Sequence, residues 1–404
     1  MLLGFKTELK LNNQQRTELL KHCGVARHAW NWGLGLTKQI LDHNKANPNE
    51  KIKFPTAIDL HKWLVALVKP ECPWYYECSK STPQESLRAL CLAWKDCFEK
   101  KKGVPQFKKK GRHDSFTLEG TVKTLGSRSI QVPKIGVLKT YECLPTHCPR
   151  KKKKSPHKVP PNSFQPKSVT ISREADKWFI SFRFEASKPD LKLEDTWFFS
   201  EHSVVGVDLG VSNLATLSTG EIVEGAKSYK RFKDKLARLQ WLNRQKVIGS
   251  ANWKKAQLQI ARLHRKIANI RKDTLHKLTI LLAKNHSVIV IEDLNVKGMM
   301  ANHKLAASIQ DMGFFEFRRQ LTYKCDLFGS KLVIVDRWFP SSKTCSNCGT
   351  VKKELSLKER TFNCECGLSI NRDLNAAINL SHCVAGVPPV EARGVKNYSS
   401  ITVS

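Results

Sequence analysis

Four cysteines in two tight pairs, Cys345-x-x-Cys348 and Cys364-x-Cys366, constrain this chain more than any other feature. Thiols at that spacing converge on one metal ion, because a short knuckle turns both sulfurs of a pair to the same side. The glycines that follow Cys348 and Cys366 suit such knuckles. Four sulfurs fill a tetrahedral Zn²⁺ shell, so the expected ion is structural, with no open position for chemistry. The N-terminal stretch MLLGFKTELKLNN lacks the basic, apolar and small-residue regions of an export signal. Thirteen cysteines are then expected to be reduced and the setting cytoplasmic, where clustered thiols mean metal more often than disulfides. Cys143 and Cys148, near His147 and His157, imitate a metal site weakly and read as ordinary loop residues. Cys91, Cys325 and Cys383 read as buried or incidental.

Three acids stand where buried elements begin or end. The apolar run SVVGVDLG delivers Asp208, HSVIVIEDLN delivers Glu292 84 residues later, and DLNAAINL opens a helix with Asp373 after 81 more. Adjacent strand ends crossed by a helix can bring such groups together. Converging carboxylates repel one another unless a cation joins them. With Mg²⁺ or Mn²⁺ they make a site for phosphodiester hydrolysis, one ion activating water and a second, ~4 Å away, stabilising the leaving oxygen. Each acid also has a plainer reading. Asp208 suits a turn, Glu292 and Asp293 a solvated pair, and Asp373 a partner for Arg372. Asp293 reads as the structural member of its pair.

The rest of the chain supplies a frame. Residues 203–380 alternate strands with helices, as a mixed α/β domain with a central sheet does. A helical pair runs through Tyr229, Phe232, Leu236 and Leu239, breaks at GSANW, and resumes with Ile260, Leu263, Ile267 and Ile270. A helix at 307–328 precedes the strand KLVIVDRW. Upstream, a strand at 4–11 feeds a helix capped by Asn12 or Asn13, with Leu20, Cys23, Ala26 and Trp30 as its buried face. Another helix starts near Ala57. STPQESLRALCLAWKDCF reads as a helix capped by Thr82, with Pro83 first and Glu85 completing a capping box, burying Leu87, Cys91, Trp94 and Phe98. Runs at 116–123, 128–138, 167–173 and 178–185 predict a mostly antiparallel barrel or sheet. The basic, proline-rich stretch at 140–165 reads as an exposed loop.

Charge names the class of partner. Lys and Arg number 69 against 36 Asp and Glu, a net +33 that phosphates explain and a solvated surface does not. No apolar run approaches the ~20 residues that span a bilayer, so a membrane partner is not expected.

The ordered segments VVGVDLGVSNLATLSTG, VIVIEDLNVKGM, FPSSKTCSNCG, FNCECG and NRDLNAAINL closely resemble the TnpB family. These are transposon-encoded, RNA-guided nucleases related to compact type V CRISPR effectors. The resemblance implies a multidomain α/β protein. A RuvC-like, RNase H-fold nuclease domain is expected at 199–336 and 369–383, with the four-cysteine zinc module inserted at 337–368. A β-barrel-like wedge domain is expected at 1–11 and 113–198, a helical recognition domain at 12–112, and a tail at 384–404. Asp208, Glu292 and Asp373 then look like the catalytic, metal-holding triad, and Cys345, Cys348, Cys364 and Cys366 like the zinc ligands. The expected partners are a guide RNA from the transposon end and a target double-stranded DNA cut beside a short motif, the protein acting as a monomer with its RNA. Candidate phosphate contacts are Lys108, Lys109, Lys110, Lys151, Lys152, Lys153, Lys154, Arg271 and Lys272. Gln84 and Arg88 lie on the helix expected to face the target-adjacent motif.

Two features depart from the family pattern: the single residue inside the second cysteine pair, and the long basic loop at 140–165. Four rival readings stand beside the nuclease. They are a guided repressor that does not cut, a compact CRISPR effector, a DNA-strand transferase and a zinc-stabilised nucleic-acid binder. All three acids are present, which disfavours the repressor and leaves the last without a use for the triad. The motif order disfavours the transferase.

Overall fold

A computed structural model describes residues 2–120, 122–145, 166, 168–185, 203–356 and 359–384. The chain divides into two units, Met1–Lys192 and Leu193–Ser404.

The first unit begins with strand β1 (Leu2–Lys10) and helix α1 (Asn13–Ala46). Asn12 starts that helix with a reciprocal cap: its side chain accepts from Gln15 N at 2.7 Å, and the Gln15 amide accepts from Asn12 N at 3.1 Å. Helices α2 (Ala57–Trp63) and α3 (Ser81–Phe98) follow. Next come β2 (Ser115–Glu119), β3 (Lys123–Gly126), β4 (Ser129–Val132), β5 (Gly136–Thr140), β6 (Ser168–Glu174) and β7 (Lys177–Glu185). The seven strands form one antiparallel sheet in the order β2-β6-β7-β1-β5-β4-β3.

Helix α1 serves two cores. Leu19, Cys23 and Ala26 pack with Phe116, Leu118, Ile130, Leu138 and Ile180 of the sheet. Val25, Ala29, Trp30 and Leu34 pack with Leu60, Leu87, Leu90 and Trp94 of the helices. Two-sided burial corrects the sequence reading at Leu20, which is 44% exposed while Leu19 is fully buried. A one-face pattern cannot choose between neighbours when both flanks of the stripe are covered.

Three further expectations change. Helix α3 starts at Ser81 after Lys80, with no side-chain cap; Thr82 is buried within it, and Glu85 pairs with Arg88 instead of closing a capping box. Phe98 is 54% exposed, although its ring still stacks on Trp94. The expected strand at 128–138 breaks into β4 and β5 at a turn where Lys134 and Gly136 have φ of 64° and 86°. Residues 146–165, with Lys151, Lys152, Lys153, Lys154, Cys148, His147 and His157, lie outside the described residues.

The second unit contains β8 (Val204–Asp208), β9 (Ala215–Leu217), β10 (Ile222–Val223), α4 (Ser228–Arg244) and α5 (Ala251–Asn285). Then come β11 (Val288–Glu292), α6 (Val296–Met300), α7 (His303–Met312), α8 (Phe314–Phe328) and β12 (Lys331–Val335). A small hairpin, β13 (Thr361–Asn363) and β14 (Ser369–Asn371), leads into α9 (Arg372–His382). The sheet order is β10-β9-β8-β11-β12. Strands β8, β11 and β12 run parallel, and β9 is antiparallel to both β8 and β10. Helices cover both faces of the parallel part, which is why those strands read as continuous apolar runs. The expected single helix at 307–328 is interrupted at Gly313, whose φ of 73° ends α7 and begins α8.

Helices α4 and α5 pack through Leu236, Leu263 and Ile267, as their spacing predicts. Lys227 gives α4 no side-chain cap. Buried Asp311 of α7 supplies one from outside, accepting from Tyr229 N at 2.8 Å and Ser228 Oγ at 2.8 Å.

Candidate active site and metal centre

Strand alternation aims the acids. Val205, Val207, Ile289 and Ile291 pack with Leu275, Leu278 and Leu282 of α5 and with Phe317 and Leu321 of α8. Successive side chains point to opposite faces, so Gly206, Asp208, Val290 and Glu292 belong to the other one. Val290 and Val335 meet Leu380 of α9 there. Strands β8 and β11 pair with Val207 opposite Ile291, so Asp208 and Glu292 end side by side at the C-terminal edge of the sheet.

Helix α9 lies very close to this face. A Cβ on Gly206 would stand 1.9 Å from the carbonyl oxygen of Ala377 and 2.7 Å from Ser381 N. Both atoms are backbone and cannot swing away. Asn371 caps the helix, its side chain accepting from Asp373 N at 2.9 Å and Leu374 N at 3.2 Å, which fixes Asp373 in the first turn. Replacing Gly206 by Ala should displace α9 and with it Asp373. We expect a cost of about 2–4 kcal/mol in thermal or urea unfolding, in the range for overpacking at a buried site. Unfolding indistinguishable from wild type would show that the helix has room to move.

The electrostatics separate the acids by role. Asp208 is pushed up to about 7, first by burial and then by the charges of Asp373 and Glu292, with Arg372 opposing. Glu292 is also pushed up to about 7, by burial and by Asp293. Burial acts on Asp293 in the same sense, but hydrogen bonds from Arg337 and Arg318 outweigh it and hold that carboxyl below its ordinary range. Arg318 Nη1 reaches Asp293 Oδ1 at 2.6 Å, and Arg337 Nη2 reaches Oδ2 at 2.6 Å. The two neighbouring carboxylates are driven in opposite directions: Asp293 is neutralised by two arginines, and Glu292, without those ion pairs, is the one of the two that could hold a cation. Asp373 has Arg372 Nε at 3.8 Å. Oxygen donors of this kind suit hard divalent ions such as Mg²⁺.

The cysteines are gathered more tightly. Cys345 and Cys366 sulfurs are 3.6 Å apart, as are those of Cys348 and Cys364, and all four lie within 4.8 Å of one another. Metal–sulfur bonds of about 2.3 Å at tetrahedral angles put sulfurs about 3.8 Å apart, so the cluster fits a closed four-thiolate site. Among the described residues this is the one such preformed cluster. The three acids are a looser set, as mutually repelling carboxylates are. Gly349 and Gly367 adopt φ of 78° and 89° in the two knuckles, where a Cβ would be strained.

Two residues absent from the sequence reading connect the centres. Asn375 donates to the Thr344 carbonyl at 2.7 Å and accepts from Ser346 N at 3.0 Å. Asn379 donates to the carbonyls of Ser341 at 2.8 Å and Thr344 at 2.7 Å. Both asparagines are buried. The helix that carries Asp373 is therefore laced to the segment that carries Cys345. The available signal was two asparagines four apart in an otherwise apolar helical run.

The candidate phosphate contacts are unevenly placed. Lys108, Lys109, Lys110 and Lys272 are exposed. Lys108 Nζ sits 3.9 Å from the centre of the Trp30 ring. Arg271 donates to the Gln310 carbonyl at 2.6 Å. Arg88 is held by Glu85 and Glu119, each at 2.6 Å, and Gln84 is half-buried beside it.

Comparison with known proteins fixes the lineage. Residues 199–303 match the family model OrfB_IS605, described as "Probable transposase", and residues 314–380 match the Cas12f1-like TNB domain. A Streptomyces pristinaespiralis protein named "Putative RNA-guided DNA endonuclease" is 36% identical over 98% of this chain and 95% of its own length. The chain belongs to the TnpB family. An Escherichia coli (strain K12) relative with the same kind of name, InsQ, is 34% identical over 94% of this chain and 91% of itself. A cryo-EM structure titled as a Cas12f1-sgRNA-target DNA complex shares the fold, with a TM-score of 0.54 at 16% identity over 91% of this chain and 82% of that one. Residues 1–46 match a model described as a helix-turn-helix domain. In this TnpB-family chain that segment is strand β1 followed by one uninterrupted 34-residue helix. Among the described residues no helix is long and apolar enough to cross a membrane.

Proposed function

We infer that this chain is the RNA-guided DNA endonuclease of a transposable element, and that it cuts target DNA at Asp208, Glu292 and Asp373. The observation that carries the reading is the convergence of these acids on the α9 face of the sheet, in a chain matched over 98% and 94% of its length by two relatives named "Putative RNA-guided DNA endonuclease". The sheet order β10-β9-β8-β11-β12, with acids at the rim and a helix across them, supports reading this unit as a RuvC-like, RNase H-fold nuclease domain. The assigned extents are 199–336 and 369–383 for that domain and 337–368 for the zinc module. The wedge takes 1–11 and 113–198, the helical recognition domain 12–112, and 384–404 form a tail.

Asp208, Glu292 and Asp373 would hold Mg²⁺ or Mn²⁺, which when bound supplies an activated water and charge for the leaving oxygen. The chain's own contribution is placement. Gly206 admits α9, Asn371 orients Asp373, and the Asp293 ion pairs leave Glu292 as the uncompensated acid of its pair. Zn²⁺ at the four cysteines would be structural, since a closed thiolate shell offers no site to substrate.

The field of +33 suits an RNA scaffold, a guide–target duplex and displaced DNA, all held through backbone and shape. Lys108, Lys109, Lys110 and Lys272 are the exposed candidates for such contacts among the described residues. Gln84 and Arg88 are assigned to the target-adjacent motif, Arg88 exchanging its two carboxylate partners for DNA on binding.

The test is to express the protein with its native flanking DNA and sequence the RNA that co-purifies. One discrete species ending in sequence from outside the element, followed by cleavage of DNA bearing that sequence, supports the reading. Random cellular RNA and no guided cleavage would overturn it.

A further inference from the structure

We propose that Trp338 is a stacking platform for an unpaired base of the DNA strand entering the carboxylate site. Its indole is 85% exposed, more than any other large apolar side chain among the described residues. Everything around it is fixed. Arg337, one residue before, is bound at 2.6 Å to Asp293, which adjoins Glu292. Phe339, one residue after, packs with Val290, Val335 and Leu380 on the α9 face. Trp338 N donates to Asp336 Oδ1 at 2.9 Å, and Phe339 N to the Asp336 carbonyl at 3.0 Å, closing a tight turn between them. An indole displayed on so constrained a turn is held out, not left over.

Its position selects the occupant. Glu292 pairs across the sheet with Val335, and Trp338 follows three residues later on the same rim. Three residues at no more than ~3.5 Å each, plus a strand spacing of ~4.8 Å, keep it in the neighbourhood of the bases that flank a bond cut at Glu292. A polyanionic strand drawn in by the basic surface presents bases whose faces stack on aromatic rings without regard to sequence. Such a platform fits an enzyme whose target is chosen elsewhere by base pairing, because it grips any base.

This proposal rests on the nuclease reading, and one experiment distinguishes their failures. Guide-loaded wild type, W338A and W338F are given matched double-stranded target under single-turnover conditions. RNA content, zinc content and target binding without divalent metal are measured in parallel. W338A should cut about tenfold more slowly with those three quantities unchanged, and W338F should stay within about threefold of wild type. Abasic nucleotides placed singly around the cut site give a second arm that leaves the protein intact. One position should slow the wild type about tenfold yet slow W338A no further.

Wild-type cutting with W338A at the same rate overturns the proposal alone. So do two independent, multiplying losses from W338A and the abasic position, or a slow W338A explained by missing RNA or zinc. A wild-type complex that cuts nothing overturns the nuclease reading and this proposal with it.

Discussion

Replacing Asp208 by Asn should reduce guided cleavage by at least about 10²-fold, the scale on which one preorganised charged group acts in a transition state, while leaving guide RNA bound. The same substitution should stabilise the metal-free protein. Asp208 rises from an ordinary 3.8 to about 7 because folding buries it among Asp373 and Glu292. A carboxyl whose folded pKa is raised contributes stability in full below its unfolded value, and that contribution is lost as pH climbs through the folded one. About three pH units at about 1.4 kcal/mol each set a ceiling of about 4 kcal/mol. With about half of that relieved by relaxation and water around the charged site, metal-free wild type should lose on the order of 2 kcal/mol from this group as pH rises from about 4 through 7. Asn carries no such charge. Without divalent ions at pH 7.5, D208N should melt about 4–8 °C above wild type, the shift expected for that energy in a domain of ~200 residues. Equal melting curves would mean that Asp208 is not strained by its neighbours.

A metal titration reads the same charge from the other side. With Asp208 and Glu292 both pushed up to about 7, part of the metal-free population holds protons at neutrality. Mg²⁺ can be held only by the carboxylates, so binding at pH 7 should release protons, and the heat should vary with the ionisation enthalpy of the buffer. By pH 8.5 the release should fade. Buffer-independent heat at pH 7 would count against metal binding at these acids.

Asp293 already reads as the structural member of its pair, but spacing alone does not settle Glu292 against it. Both follow one apolar run, and a strand covered on two faces has no polar–apolar alternation to reveal its parity. Parity appears when Ile289 and Ile291 meet Phe317 and Leu321, while Val290 meets Leu380. The strand ends themselves were legible, because runs of Val and Ile that stop at an acid read as buried strands reaching a rim. Cysteine spacing was legible for a different reason: four sulfurs around one ion leave little freedom to the chain between them.

Tertiary partners were not legible. Asp311 caps a helix that begins more than eighty residues upstream, and α3 begins at Ser81 with no side-chain cap at all. Leu20 shows the remaining weakness. With α1 buried on two sides, helical period alone selected the exposed neighbour of Leu19. Gly206 was passed over inside its apolar run, because an approach of 1.9 Å is a property of α9 and not of the strand.

Exchanging Cys345 for Ser should abolish guided cleavage even with the catalytic metal saturating, and the reason is the helix between the two centres. Thr344 and Ser346 flank Cys345, and both bond Asn375 of α9; Thr344 and Ser341 hold Asn379 as well. Apparent binding energies of structural zinc run to about 10–16 kcal/mol in small modules, so losing one thiolate should unfold the knuckle. Buried Asn375 and Asn379 would then lack partners, at about 1–3 kcal/mol each, and the first turn of α9 would lose its hold on Asp373. Zinc content, melting temperature and cleavage should fall together in C345S. Asn379→Ala separates the steps: it should keep zinc and guide RNA yet cut about tenfold more slowly, since it loosens the helix and leaves the thiolates alone. Full cleavage by zinc-free C345S would show that Asp373 is placed by the sheet face alone. The tight seat at Gly206 would then suffice to align the site.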